Sequence, residues 1–153
     1  MSKEKFLDRI NTLWQDFIDS YQGLSSEQME KPGVAGKWSV SEIIAHVTIW
    51  EAESLKHLPI ILAGEKPPRY STTYGGIDAF NAQAMNEWKN VSLAEILSNQ
   101  EKVHRDLIEF LSRVPEEHFT RETRLRRRLK WDTFGHYLLH AGDIRKWREM
   151  QRK

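Results

Sequence analysis

Hydrophobic residues recur at steps of three and four along three long stretches of the chain. The first stretch, from about Lys3 to Gln22, predicts a helix that ends at Gly23. The second runs from about Val40 to Ala63, and the third runs from Leu93 to about Arg113. The apolar face of the first stretch consists of Phe6, Ile10, Leu13, Phe17 and Tyr21. Each stretch is long enough to form an amphipathic helix with one buried face.

A serine followed three residues later by a glutamate marks the start of two of these helices. Ser39 with Glu42 precedes the second stretch, and Ser92 with Glu95 precedes the third. This is the spacing of a capping box, in which each side chain bonds the other residue's backbone amide. Asp132 is a candidate N-cap for a further helix that runs to the carboxyl terminus.

The connectors are rich in residues that oppose regular structure. Residues 65–76, EKPPRYSTTYGG, contain paired prolines and paired glycines and predict a clear break, followed by a short helix over residues 77–89. Pro115 ends the third helix and a charged stretch follows to Lys130, within which residues 121–130 are interpreted as a solvated, partly extended connector. The sequence therefore predicts an all-α fold, in which residues 1–153 form a single-domain four-helix bundle with long connectors.

Composition restricts the classes of function. The chain has 153 residues with 23 basic and 22 acidic side chains, so its net charge of +1 does not favour nucleic acid or an anionic membrane. No apolar run approaches the ~18 residues of a membrane-spanning helix, and the amino terminus lacks a secretion-signal pattern. We therefore expect a cytoplasmic protein with no membrane partner. The absence of cysteine excludes disulfides, thiolate ligands and a cysteine nucleophile.

Three histidines are candidate metal ligands. His136 and His140 are four residues apart, so on a helix both imidazoles can reach one ion. His46 lies at the edge of the apolar arc of the second helix, which predicts that it points into the seam between helices. Three neutral imidazoles with open positions are typical of a catalytic metal site. The alternative is three half-buried histidines that backbone carbonyls or neighbouring acids satisfy.

Four further side chains are candidates for roles near these histidines. Glu53 lies about 20° from the direction of His46 on the helix, and it is a candidate general base acting on a metal-bound water. Trp50 is one turn from His46 and is a candidate pocket wall, while Tyr137 borders the histidine stripe. Asp143 is a candidate to orient an imidazole from behind. The carboxylates have the alternative of being solvated acids on helix faces.

The run from Arg121 to Lys130 contains six basic residues in ten. It is a solvated connector, a phosphate-binding patch, or the rim of the metal pocket that holds an anionic cosubstrate. We favour the connector and do not expect a nucleic-acid partner, because no helix-turn-helix or aromatic nucleic-acid motif accompanies the run. Tyr70 and Tyr74 belong either to a plain surface loop, which we favour, or to a cover over the pocket.

Two segments resemble a known family. GKWSVSEIIAHVTIWE resembles the second-helix motif of the DinB/YfiT-like superfamily, in which a tryptophan, a capping serine and a histidine precede a Trp-Glu pair. WDTFGHYLLHAGDIRKW resembles the closing helix of the same superfamily, and IDAFN, with Asn81, is similar to the start of its third helix. In the first segment the matching residues are Trp38, Ser39, His46, Trp50 and Glu51.

This resemblance implies an up-down-down-up bundle in which His46, His136 and His140 bind nickel or zinc. It implies a metal-dependent thiol S-transferase, with a low-molecular-weight thiol as cosubstrate, or a hydrolase, acting in either case on a small electrophile. Pairing into a homodimer is also expected from the family. The closing HYLLHAGDIRKW resembles the ClbS/DfsB branch too. That branch implies an alternative function, a non-enzymatic protein that binds or sequesters a small molecule in the same cavity.

Overall fold

The computed structural model describes residues 1–152, and most of them are helical. A π-helical turn, Trp131–Gly135, joins the last two helices without a break. The long helices are α1 (Lys3–Tyr21), α3 (Val40–Leu62), α5 (Ile77–Trp88), α6 (Leu93–Ser112) and α9 (His136–Gln151). The short helices are α2 (Ser26–Met29), α4 (Tyr70–Thr73), α7 (Glu117–Thr120) and α8 (Arg124–Lys130).

Side-chain caps fix the starts of the two central helices. The Ser39 hydroxyl accepts a hydrogen bond from the Glu42 amide at 3.2 Å, and the Glu42 carboxylate accepts one from the Ser39 amide at 3.1 Å. This is the predicted capping box, and it starts α3 at the predicted residue. The Ser92 hydroxyl accepts from the Glu95 amide at 3.2 Å and caps α6, but within residues 1–152 the Glu95 carboxylate does not return a bond to the Ser92 amide, so only half of the second predicted capping box forms.

Helix α3 packs against α6, and α1 packs against α9, while α3 also contacts α5, α8 and α9. The all-α bundle is therefore confirmed, whereas the up-down-down-up order stays a prediction. The most enclosed apolar side chains include residues of α1, α3, α6 and α9: Phe6, Ile10, Phe17, Ile43, Ile44, Leu58, Leu107, Leu111 and Ile144. Within residues 1–152, no helix has both the length and the apolar character needed to cross a membrane.

The prediction of a partly extended connector over Arg121–Lys130 is wrong for residues 124–130. Residues 124–130 form α8, and Leu125 and Leu129, four residues apart, are buried on one face of it. Burial of two leucines at helical spacing anchors this segment to the core despite its charge. The sequence contains this four-residue spacing of leucines, but the surrounding arginines favour a solvated segment over a buried helix.

The prediction that Asp132 caps the last helix is also wrong. The backbone is helical from α8 through the π-helical turn into α9, so no helix begins at Asp132. Its side chain is fully buried and accepts hydrogen bonds from Ser54 Oγ at 2.5 Å and from Arg128 Nε at 2.8 Å. Asp132 therefore ties α3 to α8.

Candidate metal centre

The three predicted histidines lie together between α3 and α9. The His46 ring centre is 5.1 Å from that of His136 and 5.1 Å from that of His140, and the latter two are 6.1 Å apart. Three imidazoles that share one ion at metal–nitrogen distances of about 2.0–2.1 Å in tetrahedral geometry have ring centres about 5 Å apart. The observed spacing is close to that requirement.

Burial keeps these rings neutral. Only 5% of His46 and 6% of His140 is exposed. Burial, together with repulsion from positive charge on His136 and His140, lowers the pKa of His46 to about 3. Burial likewise lowers the pKa of His136 to about 4 and lowers the pKa of His140, with Asp143 opposing the latter change. Near neutral pH all three rings are in the form that binds metals.

Neighbouring groups fix which nitrogen of each ring is available. His136 Nδ1 lies 2.8 Å from the Trp131 carbonyl oxygen, which can only accept, so Nδ1 donates and Nε2 keeps its lone pair. His140 Nδ1 is buried and lies 3.3 Å from Asp143 Oδ2, although it makes no well-aligned hydrogen bond. Oxygen partners on Nδ1 are the usual outer contacts of histidines that bind metal through Nε2.

The donor nitrogens are not gathered around one point. In residues 1–152 no group of three or more histidine, aspartate or glutamate side chains has the geometry to hold an ion as it stands. Rotation of an imidazole about its own bond moves the nitrogens more than the ring centre, so ring spacing is the firmer measure of what this cluster can bind. Residue type, protonation state and spacing fit a divalent ion, and the ligand assignment stays a prediction.

Tryptophans surround the histidine cluster. Trp50 is 1% exposed and stacks on His136 at 5.5 Å between ring centres, while its indole N–H donates to Asn81 at 3.0 Å. Trp38 packs 4.6 Å from His46. The candidate wall residue Trp50 therefore contacts the cluster directly, and it shields one side of the histidine rings from water.

Trp131 is a neighbour of the cluster that the sequence did not indicate. Its ring is 55% exposed and meets His136 edge to face at 6.1 Å. An exposed tryptophan beside buried polar rings is unusual, because a side chain of this size ordinarily gains free energy by burial. No periodicity could place it, since its direction depends on the π-helical turn.

The structure does not bring Glu53 and Tyr137 to the histidine rings. Glu53 is two turns beyond His46, about 10 Å along the helix axis, and its Oε1 accepts from Tyr70 at 3.0 Å. Tyr137 is buried in the core, where its hydroxyl donates to Glu51. Glu51 Oε1 also lies 2.9 Å from His104 Nδ1, so this second buried network lies toward α6.

The hydroxyl of Tyr70 is the centre of a polar cluster that we call the Tyr70 cluster: Glu53, Ser54, His57, Tyr70, Arg128 and Asp132. The hydroxyl donates to Glu53, accepts from Arg128 Nη2 at 2.6 Å and lies 3.3 Å from His57 Nδ1. Burial raises the pKa of Tyr70, so its hydroxyl stays protonated. The expectation of a plain surface loop is therefore wrong at Tyr70, whose ring also lies 5.4 Å from Trp50.

A family model described as the DinB superfamily matches residues 9–143. The chain belongs to the DinB superfamily. No curated protein sequence matches it. The solved structures that resemble it have 14–16% sequence identity and therefore show only a shared fold.

One of these structures is described as sibling lethal factor precursor DfsB, with a TM-score of 0.82, 16% identity and coverage of 100% of this chain and 98% of that one. A protein from Escherichia coli UTI89 has a TM-score of 0.81 and 16% identity, covering 99% and 95% of the two chains. The colibactin self-resistance protein ClbS, crystallised with double-stranded DNA, has a TM-score of 0.78 and 14% identity, covering 95% and 94%.

Proposed function

We propose that His46, His136 and His140 bind a divalent metal ion, nickel or zinc, and that this DinB-superfamily protein is a metal-dependent transferase or hydrolase. Its substrate is a small electrophile. The observation that carries the proposal is the meeting of three neutral imidazoles from two helices at ring distances of 5.1–6.1 Å. When bound, the ion would supply Lewis acidity and lower the pKa of a coordinated water or thiol.

The chain's own residues prepare the site for that chemistry. The Trp131 carbonyl and the Asp143 carboxylate lie against the Nδ1 atoms of His136 and His140, which supports presentation of Nε2. Trp50 excludes water from one side, and the exposed ring of Trp131 offers an apolar surface to a substrate. The chain has no cysteine, so in a thiol-transfer reaction the sulfur comes from a low-molecular-weight thiol.

Calorimetric titration with nickel and with zinc tests the metal site. We expect wild-type protein to bind one ion per chain and His140→Ala to lose at least tenfold in affinity. His118→Ala is the matched control, because His118 lies on α7 outside the cluster. Equal binding by wild type and His140→Ala would refute the site. Electrophile turnover measured with and without added thiol then separates transferase from hydrolase.

The alternative function is non-enzymatic: the protein would bind and sequester a small molecule beside the histidine cluster. It predicts tight binding of a small electrophile that a chelator does not weaken, with no product formed. Turnover that disappears on chelation and returns with nickel or zinc excludes it. The two outcomes are distinguished by following substrate and product together in one chromatographic assay.

Double-stranded DNA is a second candidate partner, although the sequence did not lead us to expect it. One face of α8 exposes Arg124, Arg127 and Lys130, none of which forms an ion pair within residues 1–152, and Trp131 is exposed next to them. The structurally similar ClbS was crystallised with such a duplex. Anisotropy of a labelled duplex should rise with protein, weaken with salt and weaken further in Arg127→Gln/Lys130→Gln. No salt-dependent binding would exclude this candidate.

A further inference from the structure

A cleft of about 270 Å³ opens between α3, α5 and α6, with Tyr74 at one side. None of the three histidines lines it. Its walls carry the apolar side chains of Ile49, Phe80 and Trp88, and its polar groups include Thr48 and Glu53. Apolar side chains beside convergent polar groups are a usual combination in concave small-molecule sites.

Glu53 gives this cleft a buried negative charge. Only 8% of the residue is exposed, and Oε1 already accepts from Tyr70 at 3.0 Å. Oε2 has no hydrogen-bond partner among residues 1–152, yet it is not one of the oxygens sealed away from solvent. A carboxylate in a partly desolvated position gains free energy from any donor that reaches its free oxygen.

Thr48 also lines the cleft, but its hydroxyl oxygen is sealed from solvent and is out of reach of a ligand. The residue is 2% exposed, and its Oγ1 makes no hydrogen bond in the described part of the chain. Thr48 and Glu53 are five residues apart on α3 and both line the cleft. Recognition of a ligand therefore depends on Glu53 Oε2, which a positively charged hydrogen-bond donor would satisfy. An ammonium has three donors and no acceptor.

We propose that this cleft binds a small organic ammonium ion with an aromatic or aliphatic body. The ammonium donates to Glu53 Oε2, and the body packs against Phe80 and Trp88, whose ring faces also attract a cation. Lys56 and Glu87 are exposed at the rim. Water and salt screen the buried charge of Glu53 less than the exposed charge of Lys56. Glu53 therefore determines that the preferred ligand is positively charged.

The probe is 2-phenylethylammonium, and its neutral and anionic counterparts are 2-phenylethanol and 3-phenylpropionate. Titration into ¹⁵N-labelled protein should shift amide signals of α3, α5 and α6. We expect the neutral alcohol to bind at least about tenfold more weakly than the ammonium, a difference of about 1.4 kcal/mol, and the carboxylate to bind more weakly still. Addition of EDTA leaves these affinities unchanged, so the result is independent of the proposed metal site.

Three variants locate the charge that is recognised. Glu53→Gln keeps the shape of the side chain and should weaken ammonium binding about tenfold, whereas Lys56→Gln should strengthen it by removing a like charge from the rim. Glu101→Gln, an exposed position on α6, is the matched control and should bind as wild type does. Equal affinity for the ammonium and the alcohol would overturn the proposal. So would stronger binding of the carboxylate, no effect of Glu53→Gln, or no shifts at the solubility limit of the probe.

Discussion

Replacement of His46 by glutamine should make the fold less sensitive to acid. In the folded, metal-free protein burial lowers the pKa of His46 to about 3, whereas in the unfolded chain it has the ordinary value of about 6.5. Between these two values the unfolded chain binds a proton that the folded chain does not. The free energy of unfolding therefore falls as the pH drops below about 6.5, and it continues to fall until the folded pKa is reached.

The size of the effect follows from the two pKa values. A single histidine with folded and unfolded pKa values near 3 and 6.5 loses about 2 kcal/mol of stabilisation between about pH 7.5 and pH 5. His136, whose pKa is lowered to about 4, loses a similar amount. Asp132 acts in the opposite direction. Burial raises its pKa to about 6, so its contribution grows by roughly 1 kcal/mol as the pH falls over the same range.

Asp132 offsets part of the acid-induced loss of stability equally in wild type and in His46→Gln. The prediction therefore concerns the difference between the stability losses of the two proteins. Urea unfolding in EDTA at about pH 7.5 and pH 5 should give a smaller loss of stability for His46→Gln, by about 2 kcal/mol. His118→Gln removes a histidine outside the cluster and serves as the reference. Equal losses in wild type and His46→Gln would show that burial does not depress the pKa of His46, and would refute the reasoning.

Three further predictions concern stability at neutral pH. Ser39→Ala removes the cap of α3 and should cost about 1 kcal/mol in urea unfolding, and full stability would exclude a stabilising cap. Tyr70→Phe removes a hydroxyl that bonds Arg128 and should cost about 1–3 kcal/mol, while Tyr74→Phe, as the control, should cost less. Asp132→Ala leaves Arg128 without its buried counter-ion and should lower the unfolding free energy by about 3–5 kcal/mol; a loss below that of Ser39→Ala in the same assay would contradict this.

Local signals were sufficient for the long helices and for the position of His46. The Ser39–Glu42 spacing is read within four residues, and periodicity over α3 indicates which side of the helix is buried. The same periodicity predicts that His46 faces a seam, and that His136 and His140 share a face. Neither segment alone predicts that His46 contacts His136 and His140, because this contact depends on how α3 and α9 pack.

The Tyr70 cluster was beyond local reasoning. Tyr70 and Arg128 are 58 residues apart, and neither lies in a periodic apolar pattern that would predict its contacts. In the sequence Arg128 is one of six basic residues between Arg121 and Lys130. In the structure it pairs with the buried carboxylate of Asp132. Which arginine turns inward depends on the register of α8, and Leu125 and Leu129 set that register by their burial.

The π-helical turn connects the Tyr70 cluster to the histidine cluster. Such turns carry an extra residue relative to an α-helix, and they are frequent at functional sites. Here Trp131 places its carbonyl 2.8 Å from His136 Nδ1, and the next residue, Asp132, bonds Ser54 and Arg128. The hydrogen bond that orients His136 therefore comes from a backbone segment that a buried ion pair fixes to α3 and α8. An α-helical turn in its place would rotate Trp131 and His136 relative to each other by removing one residue from the turn. The availability of Nε2 of His136 thus depends on side chains that lie outside the histidine cluster.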